Sequence, residues 1–162
     1  MGHLLKSFLA VLTEPDSCVA NTDPSDLRIL VVDDEPVIVR YADRILRSAG
    51  YRPALALSGS QAIAAAGAMG RVDVLVTDLM MPEMTGDELA RRVRATQPHL
   101  KVLYLTGFSD HLFETKPTLW DGEAFLEKPC SIAGLEQAVS LLAYGHVARH
   151  EATAYGVPAV WR

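Results

Sequence analysis

Five short apolar runs, most of them separated by stretches of helical spacing, constrain this chain more than any other feature. The first is Leu27-Arg28-Ile29-Leu30-Val31-Val32. Such a β-branched run is typical of a strand buried on both faces. Further runs follow at 52–57, 72–77, 101–105 and 123–127. Between and after them, apolar residues recur at helical spacing over 37–48, 60–69, 85–96 and 132–144. In the first of these helices the apolar set is Val37, Ile38, Tyr41, Ile45 and Leu46; in the last, Leu135, Val139 and Leu142 point inward. Pro36 suits a first helical turn, Gly50 and Gly70 suit the positions after helix ends, and Gln97-Pro98 closes the third helix. Ser109 to Gly122 contains Pro117, so a helix there is expected to be short or broken.

Alternating strands and helices call for a parallel sheet with helices on both faces, and right-handed crossovers leave few topologies. At 162 residues the chain suits one domain with tails. The expected division is an N-terminal extension and linker over 1–26, a folded domain over 27–145 and a tail over 146–162. Leu4, Leu5, Phe8, Leu9 and Leu12 share a face of a short amphipathic helix within the extension. Fifteen basic against twenty acidic residues give a net charge of −5, which argues against a nucleic-acid partner. Two cysteines, Cys18 and Cys130, form no disulfide framework, so a reduced cytoplasmic compartment is the default. No apolar run approaches the roughly 18–20 residues of a membrane span.

In open α/β sheets, sites form beyond the carboxyl ends of the strands. The first strand delivers Asp33-Asp34 there, the third Asp78, the fourth Thr106-Gly107 and the fifth Lys128-Pro129. Three carboxylates packed together repel one another, and a hard divalent cation removes that conflict. The set reads as a Mg²⁺ site for phosphoryl transfer, with Asp78 as the nucleophile and Asp33-Asp34 as the metal pair. Lys128, Thr106 and a backbone N–H are suited to holding the transferred group's oxygens. Taken singly these residues have plainer readings: a helix cap for Asp33-Asp34, a turn hydroxyl for Thr106, a solvated surface lysine for Lys128. Their joint placement on one rim favours the site. Arg91, Arg92 and Arg94 read as the solvated face of the third helix.

Val31-Val32-Asp33-Asp34-Glu35-Pro36, Asp78-Leu79-Met80-Met81-Pro82-Glu83-Met84-Thr85-Gly86, Leu105-Thr106-Gly107 and Glu127-Lys128-Pro129, in that order, resemble the receiver domain of two-component response regulators. The stretches from Leu105 to Asp110 and from Phe125 to Pro129 look more like receivers attached to hybrid sensor histidine kinases. The resemblance covers about Leu27 to Tyr144. It implies a flavodoxin-like, doubly wound, five-stranded parallel sheet of strand order 2-1-3-4-5. It also implies that Asp78 accepts the phosphoryl group. Asp34, Asp78 and the backbone carbonyl of Met80 would hold Mg²⁺, with Asp33 acting mainly through water. Thr106 and Phe125 would form the conformational switch, Lys128 would contact the phosphoryl group, and Lys128-Pro129 would be cis. Met80 and Phe108 stand where the family tunes dephosphorylation; both are apolar, so a slow intrinsic step is expected.

The implied function is a single-domain receiver, not an enzyme. It would take its phosphoryl group from a sensor histidine kinase or a histidine phosphotransfer protein and signal to a further protein or relay. Neither nucleic acid nor membrane is an expected partner. Two rivals stand beside this reading. One is an interaction module that keeps the fold and works without phosphorylation. The other is a phosphohydrolase, disfavoured because Met80 stands where such enzymes carry a second acid.

Overall fold

The computed structural model describes residues 23–107 and 121–145. After a 3₁₀ turn at Pro24–Asp26, the elements run β1 (Ile29–Val32), α1 (Pro36–Ser48), β2 (Ala54–Ala56), α2 (Gly59–Met69), β3 (Val74–Asp78), α3 (Gly86–Arg94), β4 (Lys101–Thr106), β5 (Glu123–Glu127) and α4 (Ile132–Tyr144). All five strands pair in parallel, in the order β2-β1-β3-β4-β5. This is the expected flavodoxin-like order. Every residue of β1 and β3 is buried, as strands covered by helices on both faces must be.

Alternation of side chains along the strands divides the interior into two cores. Ile29, Val31, Val74, Val76, Leu103 and Leu105 face α1 and α4, packing on Ile45, Leu46, Leu135 and Val139. Leu30, Val32, Leu75, Val102 and Tyr104 face α2 and α3, packing on Ala62, Ala66, Leu89 and Val93. Local chemistry starts and stops the helices. The Ser58, Thr85 and Ser131 hydroxyls accept from the backbone N–H three residues on, capping α2, α3 and α4. Pro36 opens α1, while Gly70 and Gly145 supply the positive φ that ends α2 and α4. At the amino end of the sheet, Gln97 ties three elements together: its carbonyl oxygen accepts from Val72 N–H at 2.6 Å, and its amide donates to the Ala66 carbonyl at 3.4 Å.

Three expectations need correcting. In α1 the sheet-facing residues are Val39, Ala42, Ile45 and Leu46, whereas Val37 and Tyr41 are 64% and 39% exposed. The large apolar residues suggested one stripe, but small Ala42 is what lets the helix approach the sheet. β2 is only three residues long: Pro53 before it has no N–H to give the ladder, and after it the Leu57 N–H donates to Gln61 Oε1 at 2.9 Å. Arg94 is not on a solvated face: Arg91 and Arg92 pair with Glu88 at the surface, but Arg94 turns inward onto buried Glu123. The inward set of α4, Leu135, Val139 and Leu142, is buried as expected. The broken helix expected around Pro117 falls largely outside the described residues, as do the extension helix, Cys18 and Phe108.

Candidate functional site

The register of the parallel sheet brings the strand ends to one rim. β1 leads directly into Asp33 and Asp34, β3 ends on Asp78, β4 on Thr106, and Lys128 follows β5. One carboxylate oxygen from each of Asp33, Asp34 and Asp78 lies within 4.8 Å of the others. Asp33 and Thr106 are buried, Asp78 sits at the edge of burial, and Asp34 is exposed. The cluster is therefore built on a rigid floor with one open side.

Lys128 reaches in from β5. Its Nζ donates to Asp33 Oδ2 at 2.6 Å and stands 3.6 Å from Asp78 Oδ1. The Lys128 backbone N–H donates to the Thr106 carbonyl at 2.9 Å, so Lys128 and Thr106 share one ladder end. The Lys128-Pro129 bond is cis, as the resemblance implied. Asp33 is held from its other side, where Oδ1 accepts from the Glu35 N–H at 2.9 Å. The N-cap of α1 is Glu35, with no side-chain cap hydrogen bond, so Asp33 turns the chain ahead of the helix and does not cap it.

Burial raises the pKa of Asp78 above the ordinary carboxylate value, and the neighbouring Asp33 charge adds to the rise. Lys128 and the backbone N–H groups of Leu79 and Met80 oppose it. For Lys128, burial disfavours the charged form, but the hydrogen bond to Asp33 and the charges of Asp78 and Asp33 outweigh it, and its pKa rises. The result is a carboxylate cluster with one internal cation, in which excess negative charge remains.

Gly86 is essential to the local geometry. A Cβ there would lie 2.2 Å from the Asp78 carbonyl oxygen, and its N–H donates to the Leu79 carbonyl at 2.8 Å. The start of α3 is thus pressed against the backbone of Asp78. Met80, on the loop between them, is half exposed. Phe125 is half-buried, pairs in register with Tyr104 and packs against the α2–α3 core. The buried group that sequence reasoning missed is Glu123, which meets Arg94 and Tyr104. Arg94 and Glu123 lie 29 residues apart, and no local pattern pairs them.

The donor set suits a hard divalent cation: carboxylate oxygens, close together, with a solvent-facing side for water ligands. Doubly wound sheet, acidic rim and inward lysine define a class of flavodoxin-like α/β protein with a carboxylate cluster suited to a divalent cation at its carboxyl edge.

The chain belongs to the response regulator receiver domain family, whose model matches residues 29–140. It is 34% identical over 112 residues to the sensor kinase CckA of Brucella abortus (strain 2308), covering 68% of this chain and 12% of that protein. It is 37% identical over 110 residues to the probable transcriptional regulatory protein TcrX of Mycobacterium tuberculosis (strain ATCC 25618 / H37Rv), covering 68% of this chain and 47% of that one. The chain therefore spans less than half the length of these relatives. The receiver domain of the hybrid histidine kinase CckA superposes with a TM-score of 0.61 at 30% identity, covering 72% of this chain and 98% of that structure. The response regulator TrrA of Thermotoga maritima, solved with Mg²⁺ and BeF, gives 0.62 at 29% identity, with 72% and 98% covered. Among the described residues, no helix is long and apolar enough to cross a membrane.

Proposed function

We propose that this receiver accepts a phosphoryl group on Asp78, in a Mg²⁺-dependent step, from a phosphohistidine of a sensor kinase or phosphotransfer protein in the cytoplasm. The observation that carries the proposal is Lys128 inserted among three clustered carboxylates, 2.6 Å from Asp33 and 3.6 Å from Asp78. An Asp78 oxygen attacks phosphorus, the phosphorus–nitrogen bond breaks, and the histidine nitrogen leaves with its electron pair and regains neutrality. Lys128 and the Asp78 backbone neighbours hold the carboxylate in place and offset its charge. Asp33, Asp34 and Asp78, with the Met80 carbonyl, would hold Mg²⁺, which supplies charge neutralisation for the carboxylates and the incoming phosphoryl oxygens. Thr106 supplies a hydroxyl to the phosphoryl group, and Phe125 follows it inward, so that the modified state differs in surface from the unmodified one. On this reading the domain signals through a protein contact and is not itself an enzyme.

Intact-mass spectrometry after incubation with acetyl phosphate tests this, with and without Mg²⁺, on the wild type and Asp78→Asn. A Mg²⁺-dependent, hydroxylamine-labile gain of one phosphoryl group, absent from the variant, is expected. No gain from acetyl phosphate or a phosphohistidine donor in folded protein would refute it and leave the phosphorylation-independent interaction module.

A further inference from the structure

β5 is an edge strand, hydrogen-bonded on one side to β4 alone and only partly buried beyond its first residue. Yet it carries Phe125 and leads into Lys128, and the proposed chemistry needs the Lys128 ammonium in a fixed place and the Phe125 side chain to swing from a backbone of fixed position. Besides its ladder to β4, a buried cluster holds its other end. Glu123, the first residue of β5, is 0% exposed and ion-paired to Arg94, itself only 15% exposed, in the last turn of α3. The Tyr104 hydroxyl, also fully buried, stands 3.4 Å from Glu123 Oε1 and 3.5 Å from Asp87 Oδ1 in the first turn of α3. Arg94 Nε donates in addition to the Leu100 carbonyl at 3.2 Å. Both ends of α3 are thereby fastened to β4 and β5.

A buried ion pair adds little net stability over a well-packed apolar pair, and in some proteins its role is to hold a geometry. Here the geometry bears on the site. Glu123 and Phe125 lie on one face of β5, and Tyr104 is the register partner of Phe125. Lys128 is five residues beyond Glu123, about 16 Å along an extended chain.

We propose that Glu123, clamped by Arg94 and Tyr104, is a positioning residue for the phosphoryl site: it fixes the amino end of β5 and so sets where Phe125 and Lys128 stand relative to Asp78. This rests on the phosphoacceptor reading. The discriminating protein is Arg94→Met/Glu123→Leu, which replaces the charged pair by an apolar one and keeps the core filled. Calorimetric titration with beryllofluoride in Mg²⁺, alongside thermal melts, reads position and stability separately. The double variant is expected to melt near the wild type but to bind beryllofluoride about fivefold more weakly. Tyr104→Phe, which removes one hydroxyl and keeps the ring, is expected to weaken binding by a smaller factor in the same direction, and it carries the test should the double variant not fold. Wild-type affinity in the folded variants would overturn the positioning role. Failure of the wild type itself to bind beryllofluoride would instead remove the phosphoacceptor reading, and this inference with it.

Discussion

Adding a single methyl group at Gly86 strikes the site through its backbone. In Gly86→Ala the new Cβ falls 2.2 Å from the Asp78 carbonyl oxygen and 3.1 Å from both its carbonyl carbon and Thr77 Cγ2. A carbon and an oxygen in contact settle at about 3.3 Å, so the start of α3 and the end of β3 must separate by roughly 1 Å. Neither side yields easily: Gly86 N–H holds the Leu79 carbonyl, and β3 is central in the sheet. Overpacking of this kind costs about 1–3 kcal/mol. For a domain of this size that lowers the melting temperature by roughly 4–12 °C. The same displacement moves the Asp78 carboxylate against Lys128, and a shift of this size at a reacting group slows reaction by up to about 10²-fold. Gly67→Ala is the control, since nothing lies within 4 Å of a Cβ there and the position is inside α2. It should leave phosphorylation unchanged and raise stability by about 0.5–1 kcal/mol. Melting curves and acetyl phosphate labelling rates on both variants read the two effects. Gly86→Ala that melts and labels like the wild type would show that the contact with Asp78 is not tight, and the reasoning would fail.

The raised pKa of Asp78 has a defined sign in stability. A carboxyl whose folded value lies above its ordinary 3.8 binds more protons folded than unfolded, so stability falls as pH climbs from that value through the raised one. Asp78→Asn is therefore expected to melt above the wild type near neutral pH without Mg²⁺, with the gap closing as pH approaches 4; a gap that widens on acidification would contradict the burial argument. Mg²⁺ should raise the wild-type melting temperature, by about 1.4 kcal/mol of added stability at tenfold its dissociation constant. Asp34→Asn should lose most of that gain, and equal Mg²⁺ stabilisation of wild type and variant would place the ion elsewhere.

Much of this was legible in the sequence because the decisive signals are local. Buried parallel strands are continuous apolar runs, so β1, β3 and β4 stand out, and the rim residues follow wherever such runs stop. Asp33, Asp34, Asp78, Thr106 and Lys128 are found in this way, each by its place at a strand end. What stayed hidden is what depends on neighbours distant in the chain. The run at 52–57 reads as a strand, but Leu55 and Leu57 are substantially exposed at the edge of the sheet, where β2 has β1 alone as neighbour. Val37 and Tyr41 count toward an apolar stripe, yet the sheet contacts the adjacent face of α1, and the Tyr41 hydroxyl instead donates to the Cys130 carbonyl at 3.0 Å. Arg94 looks like its neighbours Arg91 and Arg92 until Glu123 is brought beneath it by the pairing of β4 with β5.

Gln97 has a bearing on how such a molecule transmits a signal. Its amide is oriented by its two partners, an N–H from the approach to β3 and a carbonyl from α2, so glutamate at this position would lose the donor and leave the Ala66 contact unmade. The amino end of the sheet is thereby sewn shut across three successive elements. On the proposed phosphoacceptor reading, a chemical change among the acidic residues meets a cross-braced base, and the exposed rim around Asp34 and Met80 is where it would alter the surface.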